Sequence, residues 1–309
     1  MAILVAYVFP FKETYARYFP LESVIDWGIA IIFLLYGLKL NIKEVLKDIS
    51  NWKLHLLVQF GTFVLFPVLV LAFYPLFRGG NYFQSWLSVY FLACLPSTVS
   101  SSVVMVSIAK GNVTSAIFNA SVSGLIGIVM TPLLMGFFMH STQESGHSSE
   151  VIYQLLLKVL LPIILGLLLN PVFKNFINKY SKIIGEFDRL IILLIVYESF
   201  SKAFLQKLFT SVPPLVFFGI ALAGISLFFV VYYSLKFLAS KLRFNREDTI
   251  TATFCGSKKS LVHGSLFVMV LGIPETQKVL FLLPILIYHS FQLFYVSWLA
   301  GKISMSAKD

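Results

Sequence analysis

The sequence predicts an all-α integral membrane protein of about ten transmembrane helices in two inverted five-helix repeats, and three observations carry that reading. Apolar residues make up 58% of the 309 and charged residues 12%. No stretch is left for a large water-soluble domain, so 1-309 reads as a single membrane domain. Apolar runs long enough to cross a bilayer recur from end to end. The basic residues collect between those runs. Despite a net charge of +10, they therefore read as determinants of membrane orientation, with lipid rather than nucleic acid as the surrounding partner.

The elements follow in order. The start, MAILVAYVFP, lacks the basic region and cleavage site of a signal peptide and is too short to span, so it reads as the tail of span 1. Spans 2 to 10 fall at Val24–Leu40, Leu54–Phe77, Trp86–Ala109, Val113–Met139, Val151–Phe173, Leu190–Leu205, Val212–Leu238, Thr249–Leu271 and Lys278–Ala300. With the N-terminus inside, fifteen Lys and Arg lie on the cytoplasmic face, Lys39, Lys53, Lys110 and Arg246 among them. The other face holds six: Lys12, Arg17, Arg78, Lys202, Lys207 and Lys278. That asymmetry puts both termini in the cytoplasm of a bacterial-type inner membrane and the polar loop Ser141–Glu150 outside. The loop separates a first repeat, 1-139, from a second, 151-309. An odd number of spans in each half makes the second half enter the membrane inverted. Cys94 and Cys255 fall inside spans and supply no disulfide framework.

Spans 4 and 9 hold matching places in the two halves, and both are interrupted: span 4 by Pro96 with STVSSS, span 9 by Gly256 with SKKS and by Gly264. Interrupted spans at corresponding positions mark the substrate and ion site of secondary transporters, because unwound backbone presents carbonyls and helix ends at mid-membrane. Pro and Gly are also common in membrane helices that merely pack. Lys258 and Lys259 lie about 14 Å into span 9, near the middle of a ~30 Å hydrocarbon layer. A lysine at that depth costs about 2.5–3.5 kcal/mol and as a rule serves a pathway; otherwise its stem snorkels to the headgroups. Adjacent helical side chains diverge by about 100°, so both lysines reach one cavity only where the segment is unwound. Lys258, Lys259, Ser260, His263, Pro96 and Thr98 are the candidate cavity residues, with a lysine as countercharge for an anion or as a titrating group.

Oxygen ligands for a hard cation are plentiful. Ser97, Thr98, Ser100, Ser101 and Ser102 lie on span 4, and Ser115, Asn119, Ser123, Gly127 and Thr131 recur every four residues on span 5. Such stripes also mark close helix packing. A Na+ site, the one metal or cofactor in view, is assigned to Ser101, Ser102, Asn119, Ser115 and Ser123 with carbonyls near Gly256 and Ser257. Gly111 and Asn112 read as a turn, and Glu198 with Lys202 as an i, i+4 pair. His289 and Gln292 read as partners for backbone groups freed in span 9.

Four segments carry a family resemblance: WKLHLLVQFGTFVLFPVL, LACLPSTVSSSVVMVSIAKGNVTSAIFNASVSGLIGIVMTPLL, FCGSKKSLVHG and LPILIYHSFQL. In this order, within Asp26 to Ala300, the chain resembles the SBF-like branch of the bile acid:sodium symporter superfamily. The resemblance implies ten helices in two repeats. Helices 1, 2, 6 and 7 would form a panel domain, helices 3 to 5 and 8 to 10 a core domain, with broken helices 4 and 9 crossing at its centre. The implied activity is Na+-coupled symport of an organic anion, bile-acid-like, steroid-like or a small carboxylate, by alternating access.

The chain departs from that pattern in two places. Family members begin about half a helix earlier. Sodium-coupled members also bring an acid and a glutamine from helix 9 to the sodium sites, where this chain has Gly256, Ser257, Lys258, Lys259 and Ser260. A proton-coupled or Na+-independent carrier using Lys258 or Lys259, a channel, and a non-transporting regulator of ion entry are the competing readings. The chain has no H-E-x-x-H, G-x-S-x-G or G-x-x-x-x-G-K-[ST] motif, so an enzyme is not expected.

Overall fold

The structure, a computed structural model, describes residues 2–11, 15, 18–39, 49–139, 157, 159, 161–206 and 213–305. Lys12, Arg17, Lys207 and the loop Ser141–Glu150 lie outside the described residues. Among the described residues the regular elements are all helical: α1 (Ala2–Val8), α2 (Leu21–Lys39), α3 (Trp52–Leu71), α4 (Phe83–Cys94), α5 (Ser100–Ile108), α6 (Val113–Met139), α7 (Leu161–Lys179), α8 (Ser181–Leu205), α9 (Pro214–Lys241), α10 (Arg246–Gly256), α11 (Leu261–Val270) and α12 (Glu275–Met305). By length and composition α2, α3, α6, α9 and α12 can each cross a membrane. The chain is an all-α integral membrane protein.

Spans 4 and 9 of the sequence reading are each two short helices, α4 with α5 and α10 with α11, separated by residues without helical structure. Two details differ from expectation. α10 starts at Arg246 rather than Thr249, because the Asn245 side chain caps it by accepting the Asp248 N–H at 2.7 Å. Gly256 and Gly264 lie inside helices, and the break falls on Ser257–Ser260. Gly256 answers a packing need: a Cβ there would lie 2.7 Å from Leu235 Cδ1.

The described residues form two compact units. The first comprises Met1–Asn41, His140–Pro214 and Gly264–Leu282. Its centre is α2 packed on α7, where Gly37 and Gly166 bring backbone against backbone. A Cβ on Gly166 would sit 2.1 Å from the Leu34 carbonyl oxygen, and one on Gly37 would sit 2.2 Å from that of Ile163. Only residues without a Cβ permit this approach. Ion pairs tie α2 and α8 at both ends. Lys39 meets Asp188 at 3.0 Å, while Lys202 meets Glu22 at 2.7 Å, Glu275 at 3.4 Å and its expected partner Glu198 at 3.0 Å.

The second unit comprises Ile42–Met139, Leu215–His263 and Leu283–Asp309. Within it, α3 has a wide π turn at Gly61–Leu65, where the Phe66 N–H reaches back to the Gly61 carbonyl. The next residue, Pro67, has no N–H. The Thr62 carbonyl is therefore left without a donor from its own helix. α4 stops at Cys94 for a related reason: Pro96 lacks an N–H and holds Leu95 extended, at φ −71 and ψ 150. In both places a proline exposes carbonyl oxygens that must find partners elsewhere in a membrane interior.

Candidate functional site

The two breaks of the second unit hydrogen-bond to each other. Ser97 Oγ donates to the Cys255 carbonyl at 2.5 Å, and the Ser260 N–H donates to the Pro96 carbonyl at 2.9 Å. Around this junction the freed backbone groups are taken up one by one. The Ser97 N–H donates to Ser123 Oγ at 2.9 Å, and Thr131 Oγ1 donates to the Cys94 carbonyl at 2.8 Å. A Cβ on Gly127 would come within 2.6 Å of the Pro96 ring. Three members of the four-residue stripe on α6 thus brace the α4–α5 break. On the other side, Tyr288 donates to the Ser257 carbonyl at 2.6 Å. Gln292 accepts the Lys259 N–H at 2.9 Å and donates to the Lys259 carbonyl at 2.8 Å. Gln292 thereby fills the supporting role expected of it, with His289 Nδ1 at 2.9 Å from its amide nitrogen.

Unwinding sends the two lysines to different partners. The Lys259 ammonium donates to three carbonyls, Thr62 at 2.8 Å, Ala93 at 2.6 Å and Leu95 at 2.8 Å, and stands 4.1 Å from the centre of the Phe66 ring. A lysine has three N–H donors, so the set is complete. The acceptors are the carbonyl freed by the π turn and two at the C-terminal end of α4, where the helix dipole favours a cation. Among the described residues Lys258 makes one side-chain hydrogen bond, to the Ser101 carbonyl at 2.9 Å. Both side chains are fully buried. A hydrogen bond to a charged group contributes about 1.5–3 kcal/mol. One such bond about matches the 2.5–3.5 kcal/mol insertion cost of a lysine, and three exceed it. Lys259 is therefore anchored, whereas Lys258 retains donors.

The remaining predicted residues divide between two places. Near Lys258, Thr98 Oγ1 lies 2.8 Å from Ser102 Oγ and accepts from Ser101 Oγ at 2.9 Å. Ser260 Oγ lies 3.0 Å from His263 Nδ1, and His263 abuts Gly124 of α6. Asn119 and Ser115 belong to a separate cluster. Asn119 Nδ2 meets His55 Nδ1 at 2.9 Å and donates to the Ser115 carbonyl at 2.9 Å. Its Oδ1 accepts from Gln59 at 3.2 Å. The Ser115 N–H is capped by Asn112 Oδ1 at 3.1 Å, in the turn expected at Gly111 and Asn112. An apolar cavity of about 510 Å³ between α3, α4 and α9 is lined by none of these residues. Among the described residues no group of three or more His, Cys, Asp and Glu is placed to hold a metal ion. Thr62, Phe66 and the carbonyls of Ala93 and Leu95 escaped the sequence reading, since backbone acceptors leave no residue signature. Pro67 was the one available signal for the first of them.

Interrupted helices joined through their own freed backbone, inside an all-α membrane protein, are the arrangement that many secondary transporters use. The chain belongs to the SBF-like CPA transporter family, whose model matches residues 1–305. It is 35% identical to an uncharacterized protein of Pseudomonas aeruginosa, over 93% of this chain and 86% of that one. It is 34% identical to "Putative symporter YfeH" of Escherichia coli K12, over 97% and 89%. With Sodium/bile acid cotransporter 7-A of Xenopus laevis it shares 29% identity over 89% and 81%. The family is one of transporters rather than enzymes.

Proposed function

We propose that this chain is a secondary active transporter of an organic anion, with Lys258 as countercharge for the anion. The observation that carries this is a fully buried ammonium held by one hydrogen bond at the junction of the two breaks. A carboxylate or sulfonate would supply the acceptors that its other two donors need. The ten-helix arrangement of inverted repeats, 1-139 and 151-309, is supported by the matching places of the α4–α5 and α10–α11 breaks. The grouping of α1, α2, α7 and α8 in one unit, and of α3 to α6 with α9, α10 and most of α12 in the other, supports a panel and a core, while residues 264–282, with most of α11, group with the first unit. The test is a thermal-shift screen of the purified protein against bile-acid-like, steroid-like and small carboxylate anions. A binding anion raises stability, and Lys258→Met is expected to lose that rise. A full rise and full uptake in Lys258→Met would overturn the assignment.

On coupling, the names of the cotransporter relatives favour Na+ symport, with ligands drawn from Ser101, Ser102, Asn119, Ser115, Ser123 and carbonyls near Gly256 and Ser257. A second reading, a Na+-independent or proton-coupled carrier, is favoured by the partners those groups already have. Lys258 holds the Ser101 carbonyl, Tyr288 the Ser257 carbonyl, and His55 and Gln59 hold Asn119. An ammonium 4 Å from a sodium ion opposes it by about 4 kcal/mol at an effective dielectric of 20, roughly three powers of ten in affinity. Proteoliposome uptake under an inward Na+ gradient, a pH gradient and neither separates the readings. Uptake that ignores Na+, and ignores Asn119→Ala, removes sodium from the mechanism.

A further inference from the structure

We propose that the pocket around Lys259 Nζ is a monovalent-cation site filled permanently by the protein's own side chain. Three carbonyl oxygens converge on one point, Thr62 at 2.8 Å, Ala93 at 2.6 Å and Leu95 at 2.8 Å, and the face of Phe66 lies 4.1 Å away. These oxygens belong to a cation in particular. The π turn and Pro67 deprive Thr62 of a helical donor, and the Ser97 N–H that would follow Ala93 in a continued helix goes to Ser123 instead. The negative end of α4 adds to the field. An apolar side chain would leave three buried acceptors unpaired, a neutral one has at most two N–H donors for them, and a positive charge without an oxygen cage would be equally unstable there. Carbonyl oxygens at broken-helix ends are ligands of the kind that alkali cations take. The inference goes beyond the transport reading and does not depend on it, because its readout is stability rather than uptake.

Lys259→Ala removes Cγ, Cδ, Cε and Nζ, a volume that n-propylammonium replaces atom for atom. The full-length variant and the wild type are compared in detergent by thermal unfolding in chloride salts of choline, Na+, K+ and n-propylammonium at equal ionic strength. Extracts of fluorescent fusions on size exclusion give the monodisperse fraction in each salt, which keeps the test open to a weakly stable variant. In Lys259→Ala, n-propylammonium and at least one of Na+ and K+ are expected to raise the melting temperature above that in choline, saturably. A hundredfold excess over Kd raises the folded-to-unfolded ratio about a hundredfold. The wild type and Lys258→Ala are expected to show no rise with n-propylammonium, and a Na+ or K+ rise in Lys259→Ala counts for the proposal only where it exceeds that of the wild type. A rise with n-propylammonium alone would make this a pocket for lysine and not a cation site. Indifference of Lys259→Ala to all the salts would overturn the proposal, and so would failure to recover monodisperse variant in any of them.

Discussion

Lys258 and Lys259 are neighbours in sequence and equally buried, yet they differ in the hydrogen-bonding capacity each has left. Lys259 gives each N–H to a carbonyl, whereas Lys258 gives one to the Ser101 carbonyl. Methionine at either position keeps the stem and removes the donors. For Lys259→Met the loss leaves three buried carbonyls without partners, at about 1–3 kcal/mol each. A destabilisation of roughly 3 kcal/mol or more is expected by thermal or denaturant unfolding. Lys258→Met frees only the Ser101 carbonyl, which lies within α5 and faces an N–H of its own helix, and removes a costly buried charge, so its stability is expected within about 1 kcal/mol of wild type. Anion binding is the property it should lose. Equal losses of stability in the two variants would contradict the distinction.

At the scale of elements, two prolines decide where backbone oxygens become available, and two glycines decide where helices touch. Pro67→Ala supplies an N–H that can close the turn onto the Thr62 carbonyl and relieve its need for Lys259. In a double-mutant cycle, Pro67→Ala is expected to shrink the cost of Lys259→Met, with a coupling of roughly 0.5–3 kcal/mol. Strict additivity would mean that the π turn does not prepare this acceptor. In the first unit, Gly166→Ala forces a methyl to within 2.1 Å of the Leu34 carbonyl oxygen. A loss of about 1–3 kcal/mol is expected, as for overpacking in a close-packed interior. Gly185→Ala in α8 is the matched control. Nothing lies within 4 Å of a Cβ there, so the higher helix propensity of alanine should leave stability equal or slightly raised. If both substitutions behave alike, the α2–α7 contact is looser than the backbone geometry requires.

For the whole molecule, the ion pairs of the first unit agree with the faces read from the loop charges. Lys39, read as cytoplasmic, pairs with Asp188, and Lys202 and Lys278, both read on the other face, share Glu275. We expect cytoplasmic termini and an external Ser141–Glu150 loop, both outside the described residues. In a background without Cys94 and Cys255, which are free and buried, cysteines replacing Ser145 and Ser306 report this directly. An impermeant maleimide applied to intact cells should modify the first and spare the second. Modification of the second from outside would reverse the orientation.

By itself the sequence determined the membrane class, the interruptions in spans 4 and 9, the turn at Gly111 and Asn112, the Glu198–Lys202 pair and the part taken by Gln292. Each is a local matter of apolar run length, missing N–H groups or helical spacing, and such signals survive in one dimension. Tertiary structure alone decided what the polar residues do. Ser123, Gly127 and Thr131 follow the spacing of an ion-binding face, yet their contacts brace the α4–α5 break. Asn119 keeps to His55 and Gln59, apart from Ser101 and Ser102. The two lysines, indistinguishable as letters, part company because all four acceptors they reach are backbone oxygens, three for Lys259 and one for Lys258. Every residue carries such an oxygen, so only the path of the chain determines which of them stand free and where they converge.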